Sequence, residues 1–147
     1  FTGYSALCLA KGLTADGILH TIELREDESA IAQGFFNRSA HTEKIILHTG
    51  DALQIIDEIE ETWDLVFIDA DKVGYINYFN KVILKLRKNG FILADNVLFH
   101  GEVLTSPVSG KNAIAIQAFN DFVNSRNDVE KLMLPLRDGI YLIRKIE

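Results

Sequence analysis

Short apolar segments alternate with longer amphipathic ones along most of the chain. Segments 17–23, 44–48, 63–69 and 90–95 are rich in apolar or β-branched residues, which is typical of strands buried on both faces. The stretches between them repeat apolar residues at helical spacing. The clearest is 75–86, which places Tyr75, Phe79, Val82, Ile83 and Leu86 on one face, and the pattern recurs at Ala115, Phe119, Phe122 and Val123. This alternation predicts right-handed crossovers and a mostly parallel sheet with helices on both faces, a Rossmann-like α/β fold.

The C-terminal end departs from this alternation. Residues 129–134 and 139–144 are both strand-like, and only residues 135–138 separate them. Because so short a link has no room for a crossover, the two strands are expected to be antiparallel. The fold should therefore end in an antiparallel hairpin, which is unusual among dinucleotide-binding domains.

Composition narrows the class of partner. The chain has 147 residues, of which 48% are hydrophobic, and this is enough to bury the core of one domain. Residues 1–147 are therefore expected to form a single domain. The net charge of −6 argues against nucleic acid and anionic membranes, so a small-molecule partner is expected. A lone cysteine, Cys8, and the absence of an apolar run near the roughly 20 residues that cross a bilayer favour a cytoplasmic protein. The chain begins at Phe1 without an initiator methionine or a signal peptide, so we expect a fragment of a longer protein.

Polar side chains follow two of the predicted strands. Segment 63–69 ends at Asp69, with Asp71 and Lys72 just beyond it, and segment 90–95 ends at Asp95 beside Asn96. Ligands of open α/β sheets bind beyond the carboxyl ends of the strands, where two unpaired carboxylates would repel each other without a cation. Two carboxylates and an amide oxygen suit a hard cation such as Mg²⁺. The sequence therefore predicts a metal site at Asp69, Asp95 and Asn96.

Each of these residues also has a simpler interpretation. Asp and Asn at strand ends commonly cap the next helix or form turns, and this suits Asp71 in particular. Lys72 could act as a general base beside the metal, or it could be a solvated surface lysine. The combination of the two segments, rather than any single residue, favours the metal site.

The first half of the chain carries weaker signals for a cofactor. Gly3 lies in a turn that leads into a predicted helix, and the free backbone N–H groups at the start of that helix could bind a carboxylate or phosphate. Thr2 as a simple N-cap explains the turn almost as well. Glu23 ends the next predicted strand, about 20 residues after Gly3, the interval at which Rossmann-type sites place an acid on ribose hydroxyls. Asp51 could border an adenine ring or could cap the following helix.

These motifs together resemble the cation-dependent O-methyltransferases, the family that includes the caffeoyl-CoA and catechol enzymes. The resemblance covers the whole chain and rests on segments 1–5, 67–72, 94–98 and 134–140, of which the middle two are the most specific. It implies a class I methyltransferase fold whose first strand is missing or incomplete here. It also implies S-adenosylmethionine as cofactor, a divalent cation (Mg²⁺, with Ca²⁺ or Mn²⁺ as alternatives) and a homodimer.

The resemblance also implies a role for individual residues. Asp69, Asp95 and Asn96 would bind the metal, Asp69 and Lys72 would be catalytic, and Asp69, Lys72 and His100 would contact a catechol or phenolic substrate. The cofactor-binding residues would be Gly3, Ser5 on the methionine carboxylate, Glu23 on the ribose, Asp51 and Ala52 near the adenine, and Asp69. His100 departs from the asparagine of the plant enzymes, which leaves the acceptor open.

Other functions remain as alternatives. A nicotinamide-dependent oxidoreductase shares the fold and an acid near Glu23, but it does not explain the acids at the two strand ends. A signalling receiver domain also gathers acids and a lysine, but its lysine follows a later strand and its sheet lacks a final hairpin. A non-catalytic module with a degenerate methyltransferase fold would also fit the sequence.

Overall fold

The computed structural model describes residues 2–147, which form six strands and five α-helices. The strands are β1 (Leu19–Glu23), β2 (Ile45–Thr49), β3 (Trp63–Ile68), β4 (Leu86–Asp95), β5 (Val129–Leu134) and β6 (Ile140–Lys145). The α-helices are α1 (Tyr4–Ala10), α2 (Glu26–Phe36), α3 (Ala52–Glu58), α4 (Tyr75–Lys85) and α5 (Lys111–Ser125). Short 3₁₀ helices occupy Thr42–Lys44, Lys72–Gly74 and Phe99–Leu104. The chain divides into two compact units, one ending at Ile59 and the other spanning Glu60–Glu147, and the single domain of residues 1–147 stays a prediction.

The N-terminal unit contains a two-stranded parallel sheet. Strands β1 and β2 pair in continuous register from Leu19 opposite Ile45 to Glu23 opposite Thr49. Small side chains of α1 and α2 allow the helices to pack closely, and the buried cluster consists of Ala6, Ala10, Ala32, Phe36 and Ile45. The parallel register brings the carboxyl ends of both strands to the same edge of the sheet.

The C-terminal unit contains a four-stranded mixed sheet with the order β3-β4-β6-β5. Strand β4 pairs in parallel with β3 and antiparallel with β6, and β5 and β6 form the predicted antiparallel hairpin. Strand β4 is longer than the sequence predicted, because it begins at Leu86, opposite Trp63, and passes a register irregularity before Phe91 pairs with Leu65.

The helices of this unit bury the faces that helical spacing indicated. The predicted face of α4, together with Leu86, is at most 6% exposed at Tyr75, Phe79, Val82, Ile83 and Leu86. In α5, Phe119 and Val123 are fully buried as predicted, whereas Ala115 and Phe122 are only half-buried and Ala113 and Ile116 take the central positions instead. The rings of Tyr75 and Phe119 meet edge to face at 5.3 Å, which fixes the phenol of Tyr75 at the start of α4.

The predicted α/β fold is confirmed, with parallel pairing in both units and an antiparallel hairpin at the C-terminal end. Among the described residues, the first strand of either sheet begins at Leu19. Within residues 2–147, no helix combines the length and apolar character needed to cross a membrane.

Candidate active site

The acids predicted to bind a metal follow neighbouring strands. Ile68 of β3 lies opposite Ala94 of β4 in parallel register, so Asp69 and Asp95 occupy the next position on each strand. Adjacent strands lie about 4.8 Å apart, which brings the two acids to one edge of the sheet. Strands β3 and β4 are therefore neighbours, as a shared metal site at their ends requires.

The Lys72 ammonium lies among polar groups at this edge. Its Nζ donates to Asp69 Oδ1 at 3.2 Å, to Asn96 Oδ1 at 3.0 Å and to the Tyr75 hydroxyl at 2.7 Å. The side chain is only 14% exposed, so the interpretation of Lys72 as a solvated surface lysine is wrong. Because one ammonium contacts both oxygens, Asp69 Oδ1 and Asn96 Oδ1 face the same point at this edge of the sheet.

The amide of Asn96 is oriented by a residue that sequence reasoning missed. Asn96 Nδ2 donates to Asp138 Oδ2 at 3.3 Å, which turns the amide oxygen toward Lys72. The backbone N–H of Asn96 donates to Asp95 Oδ1 at 2.8 Å. Asp138 lies in the turn between β5 and β6, a segment noted only as part of the family's hairpin. A carboxylate directly before Gly139 in that turn was the available signal.

Tyr75 is a second site residue that sequence reasoning missed, because its helical spacing placed it only in the core. Its side chain is fully buried, and its hydroxyl donates to the main-chain oxygen of Asp95 at 2.9 Å, with that of Ile68 at 3.3 Å. Burial, followed by the negative charges of nearby aspartates, raises the pKa of this phenol far above its usual value. The hydroxyl therefore stays neutral and links the ends of β3 and β4.

Asp71 has the capping role that its position suggested. Its carboxylate accepts hydrogen bonds from the backbone N–H of Gly74 at 2.9 Å and from the Tyr78 hydroxyl at 2.6 Å. Both partners lie at the start of the helical segment that follows. Asp71 therefore serves as the cap of the short 3₁₀ helix Lys72–Gly74.

The donor set fits a hard divalent cation. Asp69, Asp95 and Asn96 offer only oxygen atoms, which Mg²⁺, Ca²⁺ and Mn²⁺ prefer over nitrogen or sulfur. In the part of the chain that the structure describes, no group of three or more His, Cys, Asp or Glu side chains is arranged to hold a metal. A cation at this edge would therefore need the Asn96 amide as its third protein ligand.

An open cavity of about 520 Å³ lies beside Asp138. Its lining residues are Leu98, His100, Gly101, Arg137 and Asp138. The side chain of His100 is 76% exposed, and its backbone N–H donates to Asp138 Oδ1 at 2.6 Å. Asp138 thus connects the wall of this cavity to Asn96, and the cavity is large enough for a small aromatic molecule.

Unusual backbone conformations are concentrated around this cavity. Five described residues other than glycine have positive φ, and four of them lie in the segments after β4 and before β6: Asn96, Phe99, His100 and Arg137. Left-handed backbone costs such residues about 1–2 kcal/mol each, and positions of this kind cluster at ligand sites. The local strain supports a functional role for these two segments.

The predicted cofactor residues lie in the N-terminal unit. Glu23 ends β1, where its carboxylate accepts from the backbone N–H of Arg25 at 3.1 Å and its carbonyl accepts from that of Gly50 at 3.0 Å. Asp51 caps α3, because its carboxylate accepts from the backbone N–H of Leu53 at 2.9 Å, and Ala52 is the first residue of that helix. The structure therefore brings Glu23 and the loop before α3 to one edge of the β1–β2 sheet.

Gly3 and Ser5 flank the start of α1. Gly3, not Thr2, is the N-cap residue, with a φ of 78° and no side-chain cap, so the interpretation of Thr2 as an N-cap is wrong. A Cβ at this position would lie 2.5 Å from the ring of Phe36, so only glycine allows this approach of α1 to α2. Ser5 is exposed in the first turn. Gly3 has a structural requirement of its own, whatever its role toward a ligand.

Comparison with known proteins identifies the family. The model of the O-methyltransferase family matches residues 1–146. The chain belongs to this O-methyltransferase family. A probable caffeoyl-CoA O-methyltransferase 1 of Dictyostelium discoideum is 37% identical over 99% of this chain and 66% of its own length. Caffeoyl-CoA O-methyltransferase 5 of Nicotiana tabacum is 31% identical, also over 99% of this chain and 66% of its own length. The chain thus spans slightly less than two thirds of these relatives.

Solved O-methyltransferases share the fold. TomG from Streptomyces achromogenes, solved in complex with SAM, superposes with a TM-score of 0.93 and 26% identity over 100% of this chain and 70% of its own. The O-methyltransferase of Bacillus cereus, solved with SAH, gives a TM-score of 0.91 and 28% identity over 98% and 70% of the two chains. These O-methyltransferase structures show the class I methyltransferase fold predicted for this chain.

Proposed function

We propose that the full-length protein transfers a methyl group from S-adenosylmethionine to one hydroxyl of a catechol-type small molecule with the assistance of a divalent cation. The observation that carries this proposal is the meeting of the Asp69 and Asn96 oxygens at the Lys72 ammonium. Family membership indicates the class of reaction. The three proposed ligands bind through oxygen atoms, which favours a hard cation, and such a cation also prefers the oxygens of a vicinal diol.

In this proposal, Asp69, Asp95 and Asn96 hold the cation. The cation would supply positive charge beside the diol, which would favour ionisation of a phenol whose pKa is ordinarily about 10. Lys72 lies beside the same oxygens and would act as the general base toward the phenol. Asp138 keeps the amide oxygen of Asn96 facing the site.

In this proposal the methyl-accepting substrate binds in the cavity lined by Leu98 and His100. The residues proposed to bind the cofactor are assigned by resemblance to the family. Gly3, Ser5, Glu23, Asp51 and Ala52 bind S-adenosylmethionine in this proposal. The phenolate oxygen bonds to the methyl carbon as the bond between that carbon and the sulfonium sulfur breaks, and the sulfur keeps the electron pair. The names of the relatives make a coenzyme A thioester of a 3,4-dihydroxycinnamoyl group the first acceptor to test.

The test is methyl transfer by the full-length protein from labelled S-adenosylmethionine to a catechol, with a monophenol as the control acceptor. We expect transfer to the catechol with Mg²⁺ present, loss of transfer in excess chelator, and little transfer to the monophenol. Asp69→Asn should abolish transfer, whereas Asp71→Asn, which affects the contacts with Gly74 and Tyr78, should retain it. Transfer that persists unchanged in excess chelator would contradict the proposed metal assistance.

Calorimetric titration with S-adenosylmethionine separates catalysis from binding. Binding without transfer to any diol would point to a different acceptor, and failure to bind would favour a degenerate, non-catalytic module.

A further inference from the structure

Lys72 has one acceptor that is not a predicted metal ligand, the hydroxyl of Tyr75. The other acceptors of its ammonium are Asp69 Oδ1 and Asn96 Oδ1, both of which the proposed function assigns to the cation. An ammonium has three N–H groups, and the structure supplies one acceptor for each. When a divalent cation takes the oxygens of Asp69 and Asn96, the Tyr75 hydroxyl is the acceptor that remains, at 2.7 Å in this structure.

The Tyr75 hydroxyl is well placed to hold this ammonium. A phenol has one proton, and here the proton faces the main-chain oxygens of Asp95 and Ile68 at 2.9 and 3.3 Å. The oxygen lone pairs are consequently left to accept from Lys72. The ring is fully buried and packs against Phe119, so neither the phenol nor its lone pairs can turn away.

The ring of Tyr75 adds a second contact. The Lys72 Nζ lies 4.7 Å from the centroid of the ring, within the range of a cation–π interaction. The ring contact alone would attract the ammonium without fixing its direction, whereas the hydroxyl fixes one N–H bond. Removal of the hydroxyl with retention of the ring therefore separates attraction from orientation.

We propose that Tyr75 is a positioning residue. Its hydroxyl holds the Lys72 amine beside the methyl-accepting substrate when the oxygens of Asp69 and Asn96 are bound to the cation. This inference rests on the proposed function for its consequence in catalysis, but the placement of Lys72 can be measured without catalysis. Tyr75 touches neither substrate nor cofactor in this role.

The test compares Tyr75→Phe with Tyr78→Phe in the full-length protein. Tyr78 lies on the same helix and donates to the capping residue Asp71 at 2.6 Å, which makes it a matched control for loss of a hydroxyl. We expect Tyr75→Phe to lower kcat about tenfold, the effect of one hydrogen bond to a charged group, with little change in acceptor KM or in Mg²⁺ affinity. Tyr78→Phe should resemble the wild type in all three quantities.

A double-mutant cycle with Lys72→Met identifies the route of the effect. If Tyr75 acts through Lys72, Tyr75→Phe should cause no further loss of kcat in the Lys72→Met background. Equal losses in both backgrounds would show a merely structural role and would overturn the proposal.

Amine labelling provides the measurement that does not depend on activity. With saturating Mg²⁺, acetylation of Lys72 followed by peptide mass spectrometry should be at least severalfold faster in Tyr75→Phe than in the wild type, while the exposed Lys88 reacts equally in both. Unchanged labelling of Lys72 would overturn the proposal even if kcat fell. If the wild-type protein transferred no methyl group, the proposed function would fail and the labelling rates alone would decide the role of Tyr75.

Discussion

Replacement of Asp138 by alanine should weaken metal binding although Asp138 is not a proposed ligand. Its Oδ2 accepts from Asn96 Nδ2 at 3.3 Å, and its Oδ1 accepts from the backbone N–H of His100 at 2.6 Å. In Asp138→Ala the Asn96 amide loses the partner that keeps its oxygen toward the site. The amide can then rotate, and its NH₂ group, which cannot ligate a cation, competes for the same position.

The expected magnitude follows from these contacts. A hydrogen bond to a charged group contributes about 1.5–3 kcal/mol, and the long 3.3 Å contact together with 18% exposure of the Asp138 side chain places this one at the lower end. Groups that orient metal ligands typically change metal affinity by about 10–100-fold when they are removed. We therefore expect Mg²⁺ to bind Asp138→Ala about tenfold more weakly than the wild type.

The assay is isothermal titration of the full-length protein with Mg²⁺. Asp138→Asn should fall between wild type and Asp138→Ala, because its amide oxygen still accepts from Asn96 without the charge. Glu130→Ala removes a carboxylate from the same hairpin, one that pairs with Arg144 at 2.6 Å, and should leave the affinity unchanged. Equal Mg²⁺ affinity of Asp138→Ala and wild type would refute the argument that Asp138 orients Asn96.

Two further predictions concern stability. Gly139 has a φ of 82°, and a Cβ there would lie 2.6 Å from the Cγ of Leu98. Gly139→Ala should therefore lower the free energy of unfolding, measured in urea, by more than the roughly 1 kcal/mol that left-handed backbone alone costs. Burial, followed by the neighbouring charge of His20, lowers the pKa of His48 below 6.5, so unfolding takes up a proton in acid. The free energy of unfolding should therefore fall as the pH drops below about 6.5, and His48→Gln should flatten this dependence. An equally steep pH dependence in His48→Gln would contradict the assignment to His48.

The elements that sequence predicted well depend on local patterns. Helical spacing identified α4 and its buried face, and the short link at residues 135–138 identified the terminal hairpin. The early start of β4 was missed because residues 87–89 are polar and exposed. The pairing of Leu86 with Trp63, ahead of the register irregularity, depends on tertiary contacts that periodicity does not contain.

The site was predictable only as far as its residues follow strand ends. Asp69 and Asp95 could be placed together because parallel strands end at one edge of a sheet. Asp138 is 42 residues from Asn96 in sequence, and its contact depends on how the β5–β6 turn folds over the end of β4. Tyr75 was correctly placed in the core by its spacing, but hydropathy alone does not reveal that its hydroxyl reaches the polar edge of the sheet.

The central claim is that Asp69, Asp95 and Asn96 form one divalent-cation site, and Mn²⁺ binding followed by electron paramagnetic resonance tests it most directly. The full-length wild-type protein should bind one Mn²⁺ per chain at this site, with competition by Mg²⁺. Asp95→Ala should lose this binding, whereas Asp71→Ala, which removes a helix cap and the acceptor of the Tyr78 hydroxyl, should keep it. Retention of the same Mn²⁺ affinity in Asp95→Ala would contradict the account.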